Sequence, residues 1–335
     1  IKNKNFVELV TDIRGLKFLE NYKELNLTIN NSSTIFKSNI FKIPFALLVI
    51  IGSFIKSFLI LKKLKPNIVF GMGGHSSFTI CLAAKILKIP LIIYESNLFL
   101  GKSNKYLLPY ADKIFIAYNE LEGVKKKFQH KKIFVGNIIR EEILNFKKIK
   151  EVESSKDLLN ILVLGGSQAA KSFGENLPII FENCFKKNIK LKIFQQCTIE
   201  QIPQLKKTYE EFGIEFELFN YKENLIEYFN LVDFVITRSG ASIMSELLNC
   251  SIPFVAIPYP HAADDHQKKN ALYFKNKGYC FLIDEEKIHA DLFNLIQSIN
   301  RDKNLLKQMI HQQNKHSDKE VFNIINNNIS RLLND

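Results

Sequence analysis

Residues 235–270 read VITRSGASIMSELLNCSIPFVAIPYPHAADDHQKKN, and this stretch decides the fold. An apolar strand, Phe234 to Thr237, runs into the small residues Ser239-Gly240-Ala241-Ser242. These open a helix whose apolar side carries Ile243, Met244, Leu247 and Leu248. The N–H groups of a helix start have no partner within the helix and carry positive partial charge, which suits a diphosphate beyond the strand end. Glu246 sits just inside that helix, where a carboxylate accepts hydrogen bonds from a vicinal diol such as that of ribose. A second strand, Pro253 to Ile257, then delivers the polar loop Tyr259-Pro260-His261-Ala-Ala-Asp264-Asp265-His266-Gln267 to the same sheet edge. Successive strand ends presenting one polar surface are where open α/β sheets bind ligands. Taken singly, the small residues also read as a plain N-cap and the acidic loop as a solvated turn.

Bulk composition narrows the class. With 335 residues, 46% hydrophobic and 24% charged, the chain is long enough for two domains with separate cores. Five cysteines, Cys81, Cys184, Cys197, Cys250 and Cys280, follow no CxxC or Cys/His spacing. A reducing cytoplasm is expected, with neither a disulfide framework nor a zinc site. The net charge of +12 is one-sided: residues 1–150 hold 25 Lys and Arg against 10 acids, residues 151–335 hold 21 against 24. From Leu25 to Tyr94 there is no acidic residue. Such a surface attracts phosphate, in nucleic acid or in an anionic leaflet; a lysine- and asparagine-rich composition is the bland alternative.

Read from the start, Phe6 to Val10 forms a short strand followed by Thr11-Asp12-Ile13-Arg14-Gly15. A strand and helix normally precede such a strand, so an opening unit is expected to be missing before Ile1. The stretch 41–64, FKIPFALLVIIGSFIKSFLILKKL, has only thirteen uncharged residues between Lys42 and Lys56, short of the roughly twenty a spanning helix needs. Phe45, Leu48, Ile51, Ile55, Phe58 and Leu59 recur at helical spacing. Two readings stay open, a fully buried core helix or a helix with one face on the core and one on a bilayer interface.

Three strand ends follow. Ile68 to Phe70 leads into Gly71-Met72-Gly73-Gly74-His75 and a helix predicted from Phe78 to Leu87, a phosphate-binding order in which glycine admits close backbone approach. Ile89 to Tyr94 ends in Glu95-Ser96-Asn97, where Glu95 is a candidate general base or a carboxylate capping the next turn. Strands at 111–117 and 132–135 lead to Gly136-Asn137-Ile138-Ile139-Arg140. Lys147 to Lys156 reads as a linker. Beyond it, the strand Ile161 to Leu164 meets Gly165-Gly166-Ser167-Gln168, and further strands at 191–194, 214–218 and 280–283 alternate with helices. That alternation predicts doubly wound parallel sheets. No GxGxxG with a following acid, no Walker pattern and no DxD occurs, so diphosphate charge is expected to fall on helix ends and basic groups.

Six separated motifs, FVELVTDIRG, KPNIVFGMGGHSSF, IIYESNLFLGKSN, VGNIIR, LVLGGSQAA and the opening stretch, together resemble the MurG family of glycosyltransferases. The resemblance covers nearly the whole chain. It implies an α/β, GT-B architecture of two Rossmann-like, doubly wound domains facing a cleft: residues 1–146 on the acceptor and membrane side, rejoined by a C-terminal helix at 317–335, and 147–316 as the donor domain. It implies inverting transfer of N-acetylglucosamine from UDP-N-acetylglucosamine to the C4 hydroxyl of N-acetylmuramic acid in undecaprenyl-pyrophosphoryl pentapeptide. Neither a cofactor nor a metal is implied. Donor contacts would come from Asn97, Arg140, Ser167, Lys222, Ala241, Ser242, Ile243, Met244, Ser245, Glu246, His266 and Gln267. Gly71, Gly73, Gly74 and His75 would face the acceptor pyrophosphate, with Glu95 near the acceptor hydroxyl. The basic first half and helix 43–61 would meet the anionic cytoplasmic face of a bacterial membrane peripherally.

Departures from the family pattern are expected to matter. Its first strand and GTGGH-like loop do not precede Ile1, Tyr94 stands where histidine is common, and Ile243 replaces a threonine. Another GT-B enzyme, such as a sugar-nucleotide epimerase or diacylglycerol glycosyltransferase, would share Glu246 and the glycine turns. A non-catalytic basic membrane-surface protein would explain the lysines alone. Nucleic acid is not expected as a partner, because the lysines flank aliphatic rather than interleaved aromatic residues.

Overall fold

The computed structural model describes residues 6–16, 19, 22, 24–30, 43–148, 158–222, 224–262 and 265–334, with the side chains of residues 14, 43–46 and 167–170 left aside. The chain forms two compact units, Ile1–Gly136 with Val321–Asp335, and Asn137–Glu320.

In the first unit, β1 (Glu8–Thr11), α1 (Ile13–Leu16) and β2 (Asn26–Ile29) precede the long α2 (Ile43–Leu64). β1 and β2 pair in parallel as a two-stranded sheet. β3 (Val69–Gly71), α3 (Gly74–Ile86), β4 (Leu91–Glu95), α4 (Lys102–Leu107), β5 (Lys113–Ile116) and β6 (Lys132–Phe134) then build a parallel sheet in simple order 3-4-5-6. The strand β2 was not predicted, although Leu27 and Ile29 alternate as a half-buried strand should. The core joins the apolar faces of α2, α3 and α4 to the sheet through Leu61, Ile80, Ala84, Leu91, Ile93, Leu107 and Ile114.

α2 settles one open reading. Leu48, Ile51, Ile55 and Leu59 are 68%, 53%, 54% and 61% exposed, so the fully buried helix does not hold. The inward face carries a polar seam beside Phe54, Phe58 and Leu61. Ser53 and Ser57 meet Thr79 of α3 and Asn30, all four buried. Asn30 Nδ2 donates to Ser57 Oγ (2.7 Å), Ser53 Oγ and Thr79 Oγ1 lie 2.9 Å apart, and Ser57 Oγ donates to Thr79 Oγ1 (3.2 Å). Buried hydroxyls need such partners, and supplying them fixes the rotation of α2 about its axis. Among the described residues no helix is long and apolar enough to cross a membrane.

The second unit opens with α5 (Glu141–Leu144) and continues through β7 (Leu158–Leu164), α6 (Gly166–Lys186), β8 (Lys190–Gln196), α7 (Ile202–Glu211), β9 (Glu215–Phe219), α8 (Ile226–Phe229), β10 (Phe234–Thr237), α9 (Ala241–Asn249), β11 (Phe254–Ala256), α10 (His266–Asn276), β12 (Phe281–Leu282), α11 (Ile288–Arg301) and α12 (Asn304–Gln313). Its six strands are all parallel, in the order 12-11-10-7-8-9. Counted within the unit this is 6-5-4-1-2-3, the doubly wound order, and it reverses between β7 and β10. Ile161, Val163, Phe173, Phe181, Ile193, Ile236 and Leu292 form its core.

The units divide at Gly136/Asn137, whereas the sequence suggested 146/147. Phe146 packs edge-on against Phe229 at 6.2 Å, and Lys148 Nζ donates to the Val232 carbonyl at 2.8 Å, which attaches this segment to the second unit. Most of the expected linker, 149–156, lies outside the described residues. The last helix, α13 (Val321–Asn334), groups with the first unit.

Candidate active site

The topology of the second unit picks its ligand edge. β7 and β10 are paired, with Leu164 opposite Thr237 at their carboxyl ends. Each strand is followed by glycine and a helix: Gly165-Gly166 opens α6, and Ser239-Gly240 opens α9. The crevice at a switch point is where doubly wound sheets bind. Ser167 and Gln168 fall in the first turn of α6, and their side chains lie outside the described residues.

At the α9 start, Gly240 is the extended N-cap and no side chain caps the first turn. The N–H of Met244 bonds back to the Gly240 carbonyl, so the three preceding N–H groups, of Ala241, Ser242 and Ile243, are the ones presented. Met244 and Ser245 turn into the unit's interior, and Ser245 Oγ donates to the Ala241 carbonyl at 2.8 Å. Two buried polar atoms beside this start have no hydrogen-bond partner, Ser239 Oγ and Arg238 Nε. A buried hydroxyl left unpaired costs free energy and signals a missing partner.

Glu246, one turn on, meets Arg140 of the segment before α5: Nη2 and Oε2 are 3.3 Å apart. Burial raises the Glu246 carboxyl above its ordinary value; Arg140 opposes the rise and Glu142 adds to it. Gln267, in the first turn of α10, accepts the Tyr259 N–H at 2.9 Å, and so pins the loop after β11. Its neighbour Asp265 adopts a left-handed conformation (φ 52°) at the helix entry, and His266 is the first residue of α10. Asp264 lies outside the described residues. Lys222 follows β9 at the sheet's edge, three strand positions from β10, roughly 14 Å at the usual strand spacing. There it pairs with Glu217 at 3.6 Å and lies over the Tyr228 ring.

In the first unit, the turn after β3 and the end of β4 form a second cluster. Gly73 and Gly74 have φ of 79° and 77°, a backbone region open to glycine. α3 starts at Gly74, a turn earlier than predicted, so His75 belongs to its first turn. Glu95 accepts four hydrogen bonds: Oε1 from the N–H and Nδ2 of Asn97 (3.1 and 3.0 Å), Oε2 from the Gly101 N–H and Asn104 Nδ2 (2.9 Å each). A carboxylate has about four acceptor positions, so this geometry matches the turn-capping alternative. Tyr94 points to the opposite sheet face and donates to the Gly136 carbonyl at 3.2 Å. Asn104 Oδ1 is buried without a partner.

Sequence reasoning passed over Asn104, Arg238, Ser239 as a side chain, Ser172 and Glu285. Arg238 is a buried guanidinium one position before the α9 turn. An arginine directly after the strand Phe234–Thr237, ahead of Ser239-Gly240, is the signal that could have found it.

Comparison with known proteins gives the family and the fold. The glycosyltransferase family 28 N-terminal domain matches residues 1–116, and the family 28 C-terminal domain matches residues 160–324. A Pelagibacter ubique protein named UDP-N-acetylglucosamine–N-acetylmuramyl-(pentapeptide) pyrophosphoryl-undecaprenol N-acetylglucosamine transferase is 35% identical over 98% of this chain and 91% of its own length. A Rickettsia bellii protein of the same name is 30% identical over 99% and 93%. The crystal structure of Acinetobacter baumannii MurG superposes with a TM-score of 0.74 at 22% identity, covering 97% of this chain and 91% of that one. The Staphylococcus aureus MnaA–UDP structure gives 0.62 at 15%, covering 98% and 97%, a likeness of fold. The switch-point architecture and the full-length match together make this chain a member of the MurG family of glycosyltransferases, with the GT-B fold.

Proposed function

We propose that the protein transfers N-acetylglucosamine from UDP-N-acetylglucosamine to the C4 hydroxyl of N-acetylmuramic acid in undecaprenyl-pyrophosphoryl pentapeptide, with inversion at the anomeric carbon. The observation that carries this reading is the α9 start, with free N–H groups beside the buried, unpartnered Ser239 Oγ at the switch point. In this reading the diphosphate lies on that start, Glu246 takes the ribose diol, and the loop ending in His266 and Gln267 takes the sugar. The new C–O bond forms as the anomeric C–O bond to the diphosphate breaks, the electron pair leaves with UDP, and the proton of the C4 hydroxyl is released to a base or to solvent. The partial positive charge of the α9 start, about half an elementary charge, and the Arg140 guanidinium would stabilise that growing negative charge.

On the acceptor side, the Gly71–His75 turn would take the pyrophosphate. Asn104 Oδ1, an acceptor atom, would suit a hydroxyl or amide N–H of the muramyl sugar instead. The Glu95 bonds support a role in shaping this loop, and a general base at Glu95 would first have to release a donor. The exposed apolar stripe of α2, flanked by exposed Lys56, Lys62 and Lys63, would seat the unit on the anionic membrane that holds the lipid acceptor.

Calorimetric titration with UDP-N-acetylglucosamine, competed by UDP-glucose, tests the donor. Saturable binding that prefers the N-acetyl sugar is expected; equal competition sinks the donor assignment. Incubation with the donor alone separates the epimerase alternative, because appearance of its C2 epimer would replace the transferase reading.

A further inference from the structure

Arg238 holds together four segments that sequence places far apart. Its Nη1 donates to the Ile257 and Pro258 carbonyls at the end of β11 (3.3 and 3.4 Å), and its Nη2 to Glu285 Oε1 at 2.6 Å. The guanidinium carbon stands 4.5 Å from the ring centroid of buried Phe173 and 5.7 Å from that of Tyr259. Glu285, in the 3₁₀ turn Glu285–Lys287, also accepts the hydroxyl of Ser172 on α6. One guanidinium thus pins the ends of β10 and β11 to α6 and to the turn before α11.

Position makes this brace matter for the donor site. Arg238 is followed directly by Ser239-Gly240, so displacement of its backbone displaces the N–H groups of α9. Its charge is buried, and a buried guanidinium without a counter-charge is strongly unfavourable. Glu285 is the carboxylate in contact with it. Burial works to raise the Glu285 carboxyl, but hydrogen bonds from Arg238 and Ser172 outweigh it and hold the group below its ordinary value.

We propose that Glu285, oriented by Ser172, is a positioning residue for the nucleoside-diphosphate sugar: through Arg238 it sets where the α9 start presents its N–H groups. The inference rests on the donor-site reading above. It separates from a merely structural role by what it changes, since a structural brace alters the amount of folded protein and leaves the affinity of the folded fraction intact.

The test uses the full chain and its Glu285→Ala, Glu285→Gln and Ser172→Ala variants, with UDP titrated calorimetrically and steady-state KM taken separately for donor and acceptor. Losing a hydrogen bond to a charged group predicts about tenfold weaker UDP binding and donor KM for Glu285→Ala. The acceptor KM should stay within about twofold, and Glu285→Gln, which keeps an acceptor oxygen, within about threefold for the donor. Ser172→Ala should fall between. A folded Glu285→Ala with wild-type UDP affinity overturns the inference, as does a Glu285→Gln as impaired as the alanine. If Glu285→Ala does not fold, the other two variants decide, and wild-type affinity in both overturns it. Wild-type protein that fails to bind UDP overturns the donor-site reading itself, and the positioning role with it.

Discussion

Arg140 and Glu246 stand 106 residues apart in sequence, yet Nη2 of one lies 3.3 Å from Oε2 of the other. The proposed reaction gives these groups to different parts of one donor, the diphosphate and the ribose. Without a donor they neutralise each other, so neither charge is stranded in a half-buried site. A donor must therefore compete with an ion pair, and the pair has a cost of its own. Burial of the Glu246 carboxylate exceeds what Arg140 returns, which is why its carboxyl is held above the ordinary value.

A first prediction separates stability from binding at Glu246. A raised carboxyl binds more protons in the folded than in the unfolded state, so its ionised form opposes folding above the raised value and the penalty disappears as pH falls through it. Glu246→Gln should therefore melt no lower than wild type at pH 8, and any advantage should shrink towards pH 5. Binding of UDP-N-acetylglucosamine should weaken about 10- to 100-fold, the loss of hydrogen bonds to a charged group. Thermal melts at the two pH values with calorimetry at pH 8 check both halves.

Wild-type donor affinity should carry the same signature. The diol needs an ionised acceptor, so Kd should rise as pH falls through the Glu246 value, above the ordinary glutamate range near about 4.3. Titrations from pH 8 down to pH 4 check it; a profile that stays flat until the ordinary range is reached removes Glu246 from donor binding.

At Glu95, Glu95→Gln should act on structure first. Four N–H donors converge on the carboxylate, so an amide must turn its own N–H₂ towards two of them. The expected loss is about 2–4 kcal/mol, visible as a lower melting temperature. A general base would behave differently, losing about 10²–10⁴-fold in kcat with the melt unchanged. Melts and kcat measured on the same preparation distinguish the two.

The second unit was legible because its signals are local. Phe234 to Thr237 is an apolar run ended by Ser-Gly, and the structure places β10 and α9 there within a residue. What sequence could not give is lateral order: that β7 and β10 are neighbours depends on pairing between residues 73 apart, as at Phe234 and Ile161. Arg140 with Glu246, and Arg238 with Glu285, are likewise contacts between distant segments and leave no mark on periodicity. The first unit hid more. α2 turns Ser53 and Ser57 inward beside Phe54, Phe58 and Leu61 and leaves Leu48, Ile51, Ile55 and Leu59 outward, so with apolar residues on both faces its hydropathy pattern does not tell the core side from the outer one. The partners of Ser53 and Ser57, brought from Asn30 and Thr79, mark the inward side.

Asp318 should matter for folding of the second unit. Its carboxylate accepts from the Asn137 N–H (3.0 Å) and Nδ2 (3.2 Å) and from Asn249 Nδ2 (2.8 Å), with His316 Nε2 at 2.9 Å. Burial works to raise its carboxyl, but His316, Asn249 and Asn137 together hold it below the ordinary aspartate value. Its stabilising contribution is then complete above the unfolded value and lost as pH falls through the lowered one. Asp318→Ala should cost about 3 kcal/mol at pH 7, since it strands several buried donors at once. The difference between variant and wild type should narrow only in strong acid, and urea titrations at pH 7 and pH 3 measure it.

The outward stripe of α2 gives the last prediction, and its logic depends on the inward polar seam. Leu48, Ile51, Ile55 and Leu59 contribute little to the fold because they are already in water, so replacing Ile51 and Ile55 with glutamine should leave the melting temperature within about a degree. Against anionic vesicles the same pair should matter greatly, because burying an isoleucine side chain is worth about 1.5–3 kcal/mol. Binding to vesicles containing anionic lipid should fall at least tenfold. Lys62→Ala and Lys63→Ala should each weaken it by roughly fivefold, from about 1 kcal/mol per lysine near the surface, and salt should reproduce that loss but not the isoleucine one. Ser57→Ala tests the cause of the orientation. It removes the hydroxyl that Asn30 and Thr79 share, so it should lower stability by about 1–3 kcal/mol while leaving the exposed stripe chemically intact. If vesicle binding also fell in the folded Ser57→Ala protein, the seam would be setting the presented face of α2; if it did not, packing of Phe54, Phe58 and Leu61 alone would be sufficient to hold that face outward.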